Sequence, residues 1–194
     1  HMLVGKPDRL YDIPCSAHYY GPREIEKFNH NDINRILREI PGMNLQEEDG
    51  YGLRPNIGIR GSGSERSEKI SLMEDGILIA PAPYSAPAAY YFPTVGRMEG
   101  VEVRKGSSQI KYGPFTTAGA LNLVSTSIPV KLRVRVNVSA GDDNARTVHA
   151  HIGNAGKNFG FLAETYQSEV DGFKILDGGG NTGFDKRDYL LKFR

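Results

Sequence analysis

Tryptophan is absent from this 194-residue chain, and cysteine occurs once, at Cys15. A lone thiol closes no intramolecular disulfide, furnishes no zinc site by itself and sits in no CxxC pair, so Cys15 reads as a small buried apolar residue. An excess of one charge is also missing. The 24 Lys+Arg residues nearly cancel 23 Asp+Glu, so no long-range field draws the chain toward nucleic acid or an anionic surface. No run approaches the ~20 apolar residues of a membrane helix, and no signal peptide is visible. The opening His1-Met2 reads as an expression-vector remnant, which places the mature N-terminus outside the sequence. No Ser/His/Asp, Cys/His or paired-carboxylate constellation stands out, so neither catalysis nor a cofactor is expected.

The chain does have 39% hydrophobic residues, enough for a folded core, together with 23 glycines and more tyrosine than phenylalanine. That balance favours turns and amphipathic strands over a helical bundle. In the first half, Asn31 is a good N-cap, and Ile33, Ile36, Leu37 and Ile40 keep helical spacing until Pro41-Gly42. A shorter helix is predicted from Pro22, at a first-turn position, through Phe28. Strands are predicted over Asn56 to Arg60, Lys69 to Glu74, Ile77 to Ile79, Gly100 to Arg104 and Ala120 to Ser125. Asp75-Gly76 has the residue types of a type I′ hairpin turn. These features describe a small α+β unit with a mixed sheet.

The second half follows another rule. Leu132, Val134, Val136, Val138 and Ala140 alternate with Arg133, Arg135, Asn137 and Ser139, and Asp142-Asp143-Asn144 then makes a turn. Val148, Ala150 and Ile152 share one face of the next run, with Thr147, His149 and His151 on the other. After a turn over Gly153 to Asn158, the pattern continues through Phe159, Phe161 and Ala163, and Tyr189, Leu191 and Phe193 follow the loop Gly178 to Asn181. Alternating segments of ~9 to 11 residues suit a membrane-spanning β-barrel with an apolar outside. They suit a soluble antiparallel sheet with one wet face equally well.

Three blocks resolve that ambiguity. LRPNIGIRG (Leu53 to Gly61), LMEDGILI (Leu72 to Ile79) and MEGVEVRKGSSQIKYGPFTTAGALNLVS (Met98 to Ser125) resemble, in order and spacing, the plug domain of TonB-dependent outer-membrane receptors. The resemblance covers roughly residues 20 to 130, and EEDGYGLRPNIG with APAPYSAPAAYYFPTVGRME looks closest to the ferric-citrate branch. It implies a plug over 3–130, in the α+β class with a small mixed sheet and short helices, and over 131–194 the first ~4 antiparallel strands of a transmembrane barrel cut short by the chain's end. The plug would fill the lumen of a barrel of about 22 strands. TonB, acting through a segment upstream of Leu3, would pull on it to admit a ligand, in the outer membrane of a Gram-negative bacterium.

The same resemblance implies sites. Arg60 in IRG and Lys105 in EVRKG match the two basic positions by which family plugs pair with barrel-wall carboxylates, which here would lie beyond Arg194, leaving both cations unpaired or bound elsewhere. Three loops are expected to face outward, at Glu48 to Arg54, Ser62 to Arg66 and Ala80 to Ser85. Tyr84 falls on the family's ligand-touching aromatic position, and Pro81, Pro83 and Pro87 pre-organise its loop. An anionic iron chelate would find donors in Arg54, Arg66, Tyr84, Ser85 and Tyr90. The alternatives are another siderophore, cobalamin or an oligosaccharide on the same fold, or a soluble binding module. A few strands cannot close a barrel, so residues 131–194 are expected to pair with another copy, exchange between copies or pack back on the plug.

Other signals carry less. Gly61-Ser62-Gly63-Ser64 lacks the third glycine of a phosphate loop, having Arg66 there, and no helix follows. His149 and His151 share a strand face but have no third metal ligand nearby in sequence. Asp142-Asp143-Asn144 lacks calcium-loop spacing.

Overall fold

The computed structural model describes residues 16–28, 31–79, 91–106, 112, 117–174 and 177–194, and Cys15 lies outside them. The chain divides into two compact units, His1–Thr126 and Ser127–Arg194.

The first unit contains helices α1 (Pro22–Phe28) and α2 (Ile33–Arg38) and strands β1 (Ser16–Tyr20), β2 (Met43–Gln46), β3 (Asn56–Ile59), β4 (Ile70–Glu74), β5 (Ile77–Leu78), β6 (Met98–Lys105) and β7 (Gly119–Ser125). Helix α1 has the bounds predicted for it. Helix α2 is capped by Asp32, not Asn31: the Asp32 carboxylate accepts the Asn34 N–H at 2.8 Å. Burial raises the Asp32 carboxyl above its usual range, and the Asn34 N–H partly offsets that rise. The helix stops at Arg38 because Glu39 and Ile40 bond back only three residues, to Ile36 and Leu37. Ile40 nevertheless completes the apolar stripe at 2% exposure.

Five strands form a sheet in the order β1-β6-β7-β4-β5, with β4 and β7 parallel and the other neighbours antiparallel. Strands β2 and β3 form a separate hairpin. Strand period two sends Ile70, Leu72, Val101, Val103, Leu121 and Leu123 into one core with Ile33, Ile36, Leu37, Ile57 and Ile59. The opposite face is buried yet polar: Glu102 and Asn122, paired in register, are both 0% exposed, and Asn122 donates to Glu102 at 2.7 Å while accepting from Gly76. Buried polar groups without such partners would be costly. The Asp75-Gly76 turn has φ of 51° and 81°, as type I′ requires. Strands β1 and β2 were not foreseen; β1 is an edge strand of intermediate burial throughout, so its sequence shows no alternation.

The second unit is an antiparallel meander of β8 (Arg133–Ala140), β9 (Arg146–Ala155), β10 (Gly160–Val170) and β11 (Phe184–Phe193). Strand β9 runs to Ala155, so the turn before β10 begins at Gly156, not Gly153. The exposed face is the apolar one, with Val134, Val136 and Val138 at 62 to 72% exposure and Tyr189, Leu191 and Phe193 at 66 to 68%. The face carrying His151, Leu162, Glu164 and Tyr166 is buried. This inverts the arrangement of a water-soluble sheet and matches a lipid-facing wall. Strands of 10 or 11 residues in β9, β10 and β11 reach across a bilayer when tilted.

Candidate functional site: a tied loop pair and a cationic cluster

Strand β3 separates two polar groups of residues. At its start, Asn56 faces Gln46 of β2, and at its end Ile59 faces Met43.

The start of β3 is a knot of loops. The Asp49 carboxylate accepts the backbone N–H groups of Tyr51, Leu53 and Arg54, folding residues 49–54 around itself. Asn56 donates to Gln46 O and to Glu48, and accepts the Arg66 N–H. Ser67 Oγ accepts from Ile57 N and donates to Pro55 O, bridging both chains with full burial. These bonds hold Arg66 and Ser67 at φ of 51° and 56°, a left-handed conformation costing about 1–2 kcal/mol per residue. The Arg66 guanidinium reaches both Glu48 oxygens at 3.0 and 3.1 Å. Both side chains are at least 40% exposed, so the pair contributes ~0–1 kcal/mol. Arg54 is exposed, and among the described residues its guanidinium has no hydrogen-bond partner.

The end of β3 is a tight turn. Ser62 N bonds to Ile59 O across Arg60 (φ 53°) and Gly61 (φ 80°), a type I′ geometry. Behind it, a Cβ on Gly58 would lie 2.6 Å from Ser62 O, which explains glycine in the IGIRG block. The expected Ser62 to Arg66 apex is therefore split: Ser62 stays at this turn, whereas Arg66 joins the Glu48 to Arg54 loop. Arg60 projects from the turn, exposed, with no ion pair among the described residues. Lys105 is 3% exposed, and its Nζ contacts His18 Nε2 at 3.0 Å and Pro41 O at 2.7 Å. Burial, then the Arg60 charge, lowers the Lys105 pKa. Burial, then Lys105, lowers that of His18. Lys105 is thus bound by His18 and Pro41, while Arg60 makes no ion pair among the described residues; the His18 contact, 87 residues away in sequence, had no sequence signal.

Tyr84, Ser85 and Tyr90 lie outside the described residues. In the second unit, β10 brings a carboxylate to the two histidines that the sequence had not placed beside them. Glu164 meets both His149 and His151, a set whose ligand atoms lie within 4.8 Å of one another.

The TonB-dependent Receptor Plug Domain family model matches residues 9–120. The vitamin B12 transporter BtuB of Vibrio vulnificus (strain CMCP6) is 27% identical over 188 residues, which are 95% of this chain and 30% of that protein. The chain therefore spans under a third of its relative's length. Among solved structures, the ferric citrate transporter FecA in unliganded form superposes with TM-score 0.74 at 20% identity, covering 87% of this chain and 27% of the other. The ferric yersiniabactin uptake receptor FyuA of Yersinia pestis gives 0.70 at 17%, covering 92% and 28%. The pyoverdine receptor FpvA of Pseudomonas aeruginosa PAO1 gives 0.69 at 20%, covering 84% and 23%. At these identities the superpositions establish a shared fold, a plug followed by barrel strands. The chain belongs to the TonB-dependent receptor plug domain family, outer-membrane proteins of Gram-negative bacteria.

Proposed function

We propose that the chain is the gate and first wall strands of a TonB-dependent importer of a ferric chelate, with ferric citrate the leading cargo. Residues 3–130 serve as the plug and 131–194 as barrel strands. The observation that carries the cargo assignment is the tied loop pair, which holds the cations Arg54 and Arg66 on a rim pre-organised by Asp49, Asn56 and Ser67. Preformed donors bind an anion without first paying to order themselves. Tyr84, Ser85 and Tyr90, which lie outside the described residues, are proposed as further hydroxyl donors to the ligand. Arg60 and Lys105, at the other end of β3, are the anchors toward wall carboxylates: Arg60 makes no ion pair among the described residues, and Lys105 is held in place by His18 and Pro41. TonB engages upstream of Leu3, and lipid covers the apolar face of β8 to β11. In the isolated chain, open edges at β8 and β11 favour self-association.

Cobalamin is the second reading. Glu48 and Asp49 offset Arg66 and Arg54, so the rim is near neutral, and the 27% identical relative is a vitamin B12 transporter. Titration of the full-length receptor in detergent with ferric citrate and with cyanocobalamin separates the two. Micromolar ferric citrate binding, weakened about tenfold by Arg54→Ala, supports the first. Binding of cyanocobalamin alone overturns it.

A further inference from the structure

We propose that His149, His151 and Glu164 form a site for a divalent first-row transition-metal ion on strands β9 and β10. The β9–β10 register sets Glu164 directly opposite His151 and sets His149 one pleat along, opposite Tyr166. All three side chains therefore rise from the same face. Glu164 Oε1 lies 2.8 Å from His149 Nε2 and 3.6 Å from His151 Nδ1. In a four-coordinate site with bonds near 2.0–2.2 Å, neighbouring donor atoms stand roughly 3.4 Å apart. The two observed spacings bracket that value and the whole set lies within 4.8 Å, so an ion seats once the two rings close on it.

Burial strengthens the case. The side chains of His149, His151 and Glu164 are 14%, 5% and 0% exposed. His151 Nδ1 is buried and makes no hydrogen bond, a condition that native structures tolerate only for a reason. A cation bound there would supply the missing partner. Two imidazoles and one carboxylate suit zinc, cobalt, nickel or ferrous iron, whereas calcium and magnesium take oxygen shells. Three protein ligands leave a position for water. The position within the strands is also specific: the three residues sit near the middle of β9 and β10, where ionisable side chains are retained for function more often than for stability. Arg135 of β8 stands opposite His151, and its charge opposes the ion and weakens binding.

The 194-residue chain, stripped with chelator, is titrated with Zn2+ by calorimetry and with Co2+ by visible absorption. One equivalent binding at micromolar concentration is expected, with affinity reduced about tenfold or more by Glu164→Gln and by His151→Ala, and unchanged by His18→Gln. Imidazole resonances provide a readout that needs no variant at the site: Zn2+ is expected to shift those of His149 and His151. No binding, binding indifferent to both site variants, or shifts confined to His1, His18 and His30 would overturn the site.

Discussion

At the scale of single residues, three positions bear more than their size suggests. Ser67 closes two buried bonds between loops, so Ser67→Ala orphans Ile57 N and Pro55 O. A loss of about 3 kcal/mol is expected, read from the urea midpoint. Gly58→Ala pushes a methyl against the Ser62 carbonyl and is expected to cost about 2 kcal/mol in the same assay. His18 is held neutral by burial and by Lys105, with its pKa below 6.5. The unfolded chain therefore takes up the proton first as pH falls, and stability present above pH 6.5 is lost below it. His18→Gln keeps an acceptor for Lys105 and is expected to flatten the stability profile between about pH 5 and 7. Denaturation at both pH values checks this, and an unchanged slope would show that another group titrates. Of these residues, only Gly58 falls within a motif block of the sequence. Ser67 and His18 act through bonds to residues 10 to 87 positions away, which no local pattern encodes.

At the scale of elements, local chemistry was legible where it is self-contained. Asp75-Gly76 specified its turn because both positions tolerate positive φ, and helix α1 announced itself through Pro22. The cap of α2 was misplaced by one residue because Asn31 and Asp32 are both good caps, and only the bond to Asn34 chooses between them. Alternation revealed β8 to β11 but left open which face meets water. The exposed valines answer that, and they carry a prediction. In the full-length receptor, Val136→Arg is expected to cost ~2–4 kcal/mol in lipid refolding because it sets a charge in the hydrocarbon layer. Val136→Leu is expected to be near neutral. Equal behaviour of the two variants would mean that this face does not touch lipid.

At the scale of the whole molecule, two units with opposite surface rules share one chain. The first hides a polar sheet face built on Glu102 and Asn122, and the second displays an apolar one. On the proposed reading the first unit is a gate and the second a membrane wall, and the rim of loops at the start of β3 is where the cargo is proposed to dock. Receptor-dependent uptake gives the test at this scale: Arg60→Ala combined with Lys105→Ala is expected to slow ferric citrate uptake by cells without abolishing binding, since the proposed anchoring and recognition groups lie at opposite ends of β3. Loss of binding instead would place the two cations in the ligand site. The sequence by itself determined the family, the fold class and most strands, because motif order, turn chemistry and period-two alternation are local properties of the chain. Only the tertiary structure decided which cations are held, how the loops are tied and that Glu164 joins His149 and His151, because those facts depend on strand register, and register is set by the packing of residues far apart in sequence.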